Sequence, residues 1–403
     1  MKILFLTPQF PYPPRQGTAL RNYHLIEALA GRHAVSILSF LEPDRPADPA
    51  KWGPLPELCQ GIVPVPIPPR PHARRLRDLL LTRQPDMALR LWSDAFADQL
   101  ADWLKSEPFD VVQIEGIELA AYVPLVERIA PGSLVVFDDH NAEYVLQQRA
   151  FETDLRLPRR WHAAAYSFVQ WKRLRRFEAA TCRRVDQVIA VSGADRAALE
   201  KLVGGLQVEV IPNCIDTAAY RAPYLGPRVP AFTALFTGKM DFRPNVDAAL
   251  WFGREIWPRV KAGQPGASWG IVGRTPHPRL DVLREDPSIT IVGEVPEIPP
   301  YLAAAELYVI PLRMGGGTRF KLLEAMAAGT PVVSTTVGAE GVPVQSGREL
   351  LVADSAAEFA AAVLRLLRDP TLGHELSTAA RKLVTERFDW RVVLGDLEHI
   401  YRL

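Results

Sequence analysis

Short apolar runs alternate with helically spaced stretches from the first residues onward. KILFLT, from Lys2 to Thr7, is β-rich and apolar. GTALRNYHLIEALAGRH then places apolar residues at helical spacing and ends near Gly31, and AVSILSF returns to a strand pattern. FDVVQIEG reads as strand and loop, AAYVPLVERIA as helix, SLVVFDDHN as strand and loop, QVIAVSGADRAALEKL as strand, turn and helix, and VEVIPN as a strand. Strands that alternate with helices predict a mostly parallel sheet with helices on its faces. No repeat of fixed period runs through the chain.

After Asn213 the pattern breaks. CIDTAAYRAPYLGPRVPAF is rich in Pro, Gly and Ala and lacks periodicity, which predicts a linker over 214–230. The rhythm then restarts. TALFTGKM, SWGIVGR, ITIVGEV, ELYVIPL and PVVST read as strands. NVDAALWFGREIWPRVK, IPPYLAAA and RFKLLEAMAAG read as helices between them, and SAAEFAAAVLRLLRD and PTLGHELSTAARKLVTERF as closing helices. The expected organisation is α/β, with one parallel-sheet domain over 1–213 and a second over 231–385. Ligands of such sheets sit outside the carboxyl ends of the strands, so two of them face to face would enclose a cleft.

A chain of 403 residues, 48% hydrophobic and 23% charged, fits two ordinary globular domains. No segment approaches roughly 18 uninterrupted apolar residues, and the first apolar run is too short for a signal peptide or anchor. Cys59, Cys182 and Cys214 have no pairing rhythm and no CxxC spacing, as expected of buried or incidental thiols in a reducing compartment. The net charge of +1 excludes nothing, but its distribution is uneven. Six arginines stand against Asp78 and Asp86 between Pro69 and Trp92. Eight basic residues stand against Glu178 and Asp186 between Leu157 and Asp186. Both stretches mix charge with Leu, Trp or Phe. They read either as solvated helix faces or as a surface for anionic head groups or an anionic acceptor.

The densest chemistry lies in PLRMGGGTRFKLLEAMAAGTPVVST, Pro311 to Thr335. Gly315, Gly316 and Gly317 occupy a strand-to-helix turn at a carboxyl end. Glycines let backbone N–H groups approach a ligand, and the unpaired N–H groups of a helix's first turn favour an anion. Thr318 is a candidate N-cap. Arg319 and Lys321 add positive charge, which an empty helix N-terminus does not favour. The combination suits a phosphate or diphosphate, and Glu324, about a turn further in, suits sugar hydroxyls. The alternative is a tight turn with solvated cations and a surface acid. No GxGxxG follows the first strand and no GxxxxGK[ST] occurs, which disfavours a nicotinamide dehydrogenase and a P-loop NTPase.

GGGTRFKLLEAMAAGTPVVSTTVGAEG resembles the donor-binding segment of glycosyltransferase family 4, whose members have the GT-B fold of two Rossmann-like domains. FTGKMDFRPNVDAALWF, WGIVGRTP, ITIVGEVPEIPPYLAAAELYVIPL, VIAVSGADRAAL, VEVIPNCID and FDDHNAEY resemble other segments of that family, in order along nearly the whole chain. The resemblance implies a retaining, metal-independent enzyme that moves a hexose from a nucleotide-diphosphate sugar to an acceptor hydroxyl, with no cofactor besides that donor. The acceptor would be lipid-linked, a saccharide or a small molecule. No nucleic-acid partner is expected. The expected location is cytoplasmic, at the inner face of the membrane where the basic stretches meet anionic lipid. The closing segment, 386–403, would cross back to the first domain.

By the same resemblance Glu324 is the second acid of an E-x7-E motif and would hold the ribose hydroxyls. Gly316 stands where the first acid, a contact of the transferred sugar, would fall. Backbone amides of Gly316, Gly317 and Thr318 would serve instead, as in a subgroup of the family with a GGGTR run. Arg319 and Lys321 would contact the diphosphate, with Lys239 and Arg243 near a further basic site. Gly273 and Arg274 would flank the nucleotide, and the backbone at Val295 would meet the base. Gly17 would let the first strand-to-helix loop, with Arg15, approach the donor phosphates. His140, just past an apolar strand, would contact the transferred sugar, orienting or polarising it. Glu115 and Gly116 would face the acceptor.

Asp138, Asp139 and Glu143 near His140 raise the question of a metal. Adjacent strand residues point to opposite faces, so Asp138 and Asp139 are poorly placed to chelate together and no metal is expected. Two other readings stand beside sugar transfer. One is a GT-B epimerase or phosphorylase. The other is a non-catalytic subunit that binds a sugar nucleotide.

Overall fold

The computed structural model describes residues 1–14, 17–43, 48–155, 160–221, 226, 228–314 and 320–402. It contains two compact units: Met1–Asn213 with Val393–Leu403, and Cys214–Val392.

The first unit is built on β1 (Lys2–Thr7), β2 (Ala34–Leu41), β3 (Gly61–Pro66), β4 (Val111–Glu115), β5 (Leu134–Asp139), β6 (Gln187–Ala190) and β7 (Val208–Val210). They lie in the order β3-β2-β1-β4-β5-β6-β7, every neighbouring pair parallel. The inner strands are near-continuous apolar runs because helices cover both faces. Ile3, Leu4, Phe5 and Leu6 of β1 are fully buried, as are Val112 and Ile114 of β4. The second unit contains β8 (Ala234–Thr237), β9 (Trp269–Val272), β10 (Ile289–Gly293), β11 (Leu307–Ile310), β12 (Val332–Ser334) and β13 (Leu351–Val352). Their order is β10-β9-β8-β11-β12-β13, again parallel throughout. In each sheet the strand order reverses once, between β1 and β4 and between β8 and β11. The carboxyl ends there are where open parallel sheets take ligands.

One strand has no counterpart in the sequence reading, and one predicted helix differs from the structure. GIVPVP forms β3 although it carries Pro64 and Pro66. It is an edge strand, where a missing N–H disturbs no second neighbour. The helix read over NVDAALWFGREIWPRVK is interrupted. An α-helix over Arg243–Trp251 passes through a π-helical turn at Phe252–Ile256 into a second α-helix, Trp257–Gly263. A Cβ on Gly253 would stand 2.5 Å from Leu283 and 3.2 Å from Trp269, so the glycine lets the widened turn press onto the core. The stretch read as a linker begins with fixed contacts. Ile215 N–H donates to the Phe388 carbonyl at 2.9 Å, Thr217 N–H donates to Asp389 at 3.2 Å, and Arg391 pairs with Asp216 at 3.0 Å. No helix among the described residues is long and apolar enough to cross a membrane.

Candidate functional site

In the first unit β4 and β5 end side by side, with Glu115 in register with Asp138. Glu115 is fully buried, and its Oε2 lies 2.7 Å from His140 Nε2. Its other oxygen accepts from Gln113 Nε2 at 2.6 Å, and the Tyr401 hydroxyl donates to Gln113 Oε1. Gln113 and Glu115 are two apart on one strand and therefore share a face. The result is a chain of hydrogen bonds from Tyr401, near the end of the polypeptide, to His140.

A carboxylate acceptor at Nε2 places a proton on that nitrogen. Burial disfavours a charged ring, but the bond to Glu115 and the charge of Asp138 outweigh it, so His140 holds its proton above the usual histidine range. Gly116 follows with φ 81°. A Cβ there would stand 2.9 Å from Glu118 Oε2 and 3.5 Å from His140 Nδ1, so glycine keeps the Nδ1 side of the ring uncovered.

The two aspartates before His140 face opposite ways. Asp138 Oδ2 accepts from Arg21 Nε at 3.0 Å and Nη2 at 2.6 Å, with both side chains buried. Burial pushes its carboxyl up to about 6, against the pull of Arg21. Asp139 packs against Glu178, and burial together with that neighbour raises it well above the usual range. Glu178 accepts the N–H groups of Glu143 and Tyr144, each at 2.9 Å, at the start of the helix Glu143–Leu155. Burial still lifts Glu178 to about 7, and burial with repulsion from Glu118 and Glu178 lifts Glu143 to about 7. Two buried carboxyls held together do not both ionise at neutral pH. Glu115, Asp138 and His140 each offer a ligand atom within 4.8 Å of the others, but Arg21 already supplies a cation to Asp138.

The second unit is assembled differently. Three neighbouring strands give way to glycine at their carboxyl ends: Gly238 after β8 (φ 151°), Gly273 after β9 (φ 157°) and Gly293 closing β10 (φ 90°). A Cβ on Gly273 would lie 1.7 Å from the carbonyl oxygen of Gly238. One on Gly238 would lie 2.7 Å from Asn245 Nδ2 and 3.0 Å from Lys321 Nζ. The backbone interlocks there through Gly238 N–H to the Val272 carbonyl at 3.0 Å and Gly273 N–H to the Gly293 carbonyl at 2.8 Å. Thr275, just beyond, has φ 54°, a rare conformation for a β-branched residue and one that gathers at functional turns.

Lys321 reaches this edge from the helix Phe320–Ala328. Its Nζ donates to the Thr237 carbonyl at 2.9 Å and to Asn245 Oδ1 at 2.8 Å, and stands 4.5 Å from the Phe236 ring centre. The ammonium is thereby fixed at the end of β8, beside the reversal in strand order. Glu324 lies about one turn further along and accepts from the Tyr220 hydroxyl at 2.9 Å. Burial raises its carboxyl, while Tyr220 and Lys321 oppose the shift.

The remaining predicted residues are dispersed. Lys239 is half exposed and pairs with Asp241 at 3.4 Å, while its carbonyl accepts from Asn245 at 2.9 Å. Arg243 is exposed at the start of its helix, and Arg274 and Val295 are half-buried beyond β9 and β10. Gly17 is the first residue of the helix Gly17–Ala30 that carries Arg21. Gly315, Gly316, Gly317, Thr318, Arg319 and Arg15 lie outside the described residues. Sequence reasoning missed Arg21, Gln113, Glu178 and Tyr401 in the first unit, and Tyr220 and Asn245 in the second. One signal was available: Gln113 and Glu115 are polar at alternate positions of the otherwise apolar VVQIE. The partners from other elements meet only in the fold.

Comparison with known proteins matches residues 15–219 to the model described as Glycosyltransferase Family 4 and residues 231–369 to Glycosyl transferases group 1. A glycogen synthase of Mycobacterium tuberculosis is 29% identical over 54% of this chain and 54% of its own length. A phosphatidyl-myo-inositol mannosyltransferase of Mycolicibacterium smegmatis is 32% identical over 53% of this chain and 56% of its own. The chain thus spans about half the length of these curated relatives. Among solved structures, Anabaena HepE in complex with UDP superposes with a TM-score of 0.67 at 16% identity, covering 100% of both chains, which shows a shared fold. Two parallel-sheet α/β units of this strand order have the GT-B fold, and with a family match over more than half its length the chain belongs to Glycosyltransferase Family 4.

Proposed function

We propose that this protein moves a hexose from a nucleoside-diphosphate sugar to an acceptor hydroxyl, with retention of anomeric configuration and without a metal. The observation that carries the reading is the edge formed by Gly238, Gly273, Gly293 and the fixed ammonium of Lys321. Strand ends stripped of side chains admit a ligand against the backbone, and a held cation beside them suits a diphosphate. As the glycosidic bond breaks, charge builds on the leaving diphosphate. A cation already in place stabilises that charge without reorganising. Glu324, which accepts from the Tyr220 hydroxyl, is assigned to the donor's ribose hydroxyls.

His140 is assigned to the transferred sugar. Glu115 takes the Nε2 proton and leaves Nδ1 for a ligand; the raised pKa favours the doubly protonated ring, whose Nδ1–H donates, and that form orients and polarises rather than abstracts a proton. The acceptor is a lipid-linked, saccharide or small-molecule alcohol, and an anionic membrane surface is a partner through the basic stretches of the first unit. The relatives support the chemistry at this level: one is named for glycogen synthesis and another for mannosyl transfer to a phosphatidylinositol. The test is a transfer assay with candidate sugar nucleotides and alcohol acceptors. His140→Ala is expected to lower transfer about a hundredfold, the scale of losing a pre-placed donor, while nucleotide binding survives. Transfer at the wild-type rate would remove His140 from the reaction.

A further inference from the structure

The described residues expose eleven large hydrophobic side chains, and seven of them lie in one part of the first unit: Leu76, Leu80, Leu81, Leu155, Trp161, Phe168 and Val169. The first three belong to the helix His72–Leu81, and Trp161, Phe168 and Val169 to the helix Trp161–Cys182. These two helices are joined side by side. Arg173 Nη2 donates to the Leu79 carbonyl at 2.7 Å, and Arg173 Nη1 to the Gln84 carbonyl at 3.4 Å. Asp86 N–H donates to Gln170 at 2.8 Å just beyond the shorter helix.

Isolated surface hydrophobics need no explanation, but a contiguous set marks an interaction site. Leu76, Leu80 and Leu81 are 59%, 72% and 78% exposed, on a ten-residue helix whose only buried residue is Asp78. Burial therefore does not account for their apolar character. The same helix carries exposed Arg74, Arg75 and Arg77, and the longer one exposed Lys172, Arg175 and Arg176. Phe168, Trp171 and Phe151 form a ring cluster with centroids 5.3 to 6.1 Å apart, and the Lys172 ammonium stands 4.2 Å from the Trp171 ring centre. Aromatic rings, long aliphatic side chains and cations on two linked helices match the layering of a bilayer surface, with apolar groups below the head groups and cations among them.

We infer that this two-helix face is where the protein docks on a bilayer carrying anionic lipid. Leu76, Leu80 and Phe168 enter the head-group boundary, and the arginines and Lys172 pair with lipid phosphates. Charge complementarity separates this occupant from a second copy of the chain, whose matching face would bring the same cations together. The inference rests on the reading of the basic stretches as a membrane contact, but not on sugar transfer.

The test is co-sedimentation of the full chain with vesicles of phosphatidylcholine alone and with phosphatidylglycerol added. It is run at low and moderate salt, alongside nucleotide binding and sedimentation velocity. Wild type is expected to bind the anionic vesicles and to release as salt rises. Leu76→Glu with Leu80→Glu should weaken binding at least tenfold. Arg74→Gln should weaken it about fivefold. All these positions are exposed, so nucleotide binding and the thermal midpoint should not move, which separates loss of docking from loss of fold or donor site. Failure to bind anionic vesicles, equal binding to neutral ones, or binding untouched by these variants would overturn the inference. So would a dimer in solution that the paired leucine variant dissolves.

Discussion

The carboxyl ends of the two sheets make opposite use of the same topology. Around His140 the first sheet ends in side chains, with Glu115, Asp138, Asp139 and Arg21 all buried and bonded or pressed against one another. The second ends in backbone, with Gly238, Gly273 and Gly293 at three adjoining strands and Lys321 drawn in beside them. Side chains place protons and fix a ring, whereas a bare backbone edge admits a large polar ligand. Under the proposed sugar transfer, the second unit would hold the nucleotide and the first would act on the sugar.

The sharpest way to break the first sheet's arrangement is Arg21→Met. It leaves Asp138 buried without its cation, a change that costs about 3–5 kcal/mol when one partner of a buried pair is removed. Calorimetry should show the first unit's unfolding moving far down in temperature while the second unit's transition stays. An unchanged first transition would mean that Asp138 is neutral and Arg21 dispensable.

The counterpart in the second sheet is Gly273→Ala. Its Cβ would meet the Gly238 carbonyl at 1.7 Å at a φ that side chains avoid, so a loss of about 3 kcal/mol is expected in the second unit. Nucleotide binding should fall with it. If the variant melts like wild type, the edge yields more readily than its interlocked hydrogen bonds imply.

A pH series separates the two units by balance: raised carboxyls outnumber the lowered Glu398 in the first, while lowered aspartates oppose the raised Glu324 in the second. Glu143 and Glu178 sit near 7 in the folded first unit, Asp139 and Asp138 are raised as well, and unfolded carboxyls titrate near about 4. Stability from these groups is complete below about pH 4 and is lost as pH rises through about 7. His140, also raised, adds loss of the same sign at higher pH. In the second unit burial opposes ionisation of Asp389 and Asp286. Hydrogen bonds from Thr217 and Arg391, and from Ser288 and Lys261, nonetheless hold both below the ordinary value. Their contribution is present above about pH 4 and is lost as pH falls. Calorimetry from pH 4 to pH 8 should therefore lower the first transition well beyond the second, where Glu324 is the raised carboxyl. A second transition that falls in parallel would erase the contrast.

The smallest expected effect is that of Tyr401→Phe, about 1 kcal/mol for one hydrogen bond, since a phenyl ring fits the same space. Its informative readout is the His140 titration followed by NMR. With no donor at its oxygen, Gln113 is free to turn, its hold on Glu115 loosens, and the His140 pKa should move. A pKa that stays put would confine Tyr401 to packing.

The parallel α/β class was legible because both sheets are built from apolar runs buried on two faces, a pattern that needs no knowledge of partners. β3 was not, because Pro64 and Pro66 argue against a strand until its place at the edge is known. His140 was legible as the first polar residue with acid–base capacity after an apolar strand. Its setting was not, because Tyr401 lies 261 positions away in sequence and Arg21 comes from another element. Asp138 and Asp139 show where local geometry sufficed: alternation on a strand predicted opposite faces, and one meets Arg21 while the other meets Glu178. For Lys321 the sequence indicated a cation near a turn. Only the fold shows the ammonium bonded to the end of β8 through Thr237 and Asn245.

The division of labour between the two units is tested most directly by titration calorimetry of UDP, GDP, ADP and dTDP into wild type, Lys321→Met and His140→Ala. One nucleoside diphosphate is expected to bind wild type, Lys321→Met to weaken it at least tenfold, and His140→Ala to bind it like wild type. Binding that ignores Lys321, or that depends on His140 instead, would contradict that division of labour.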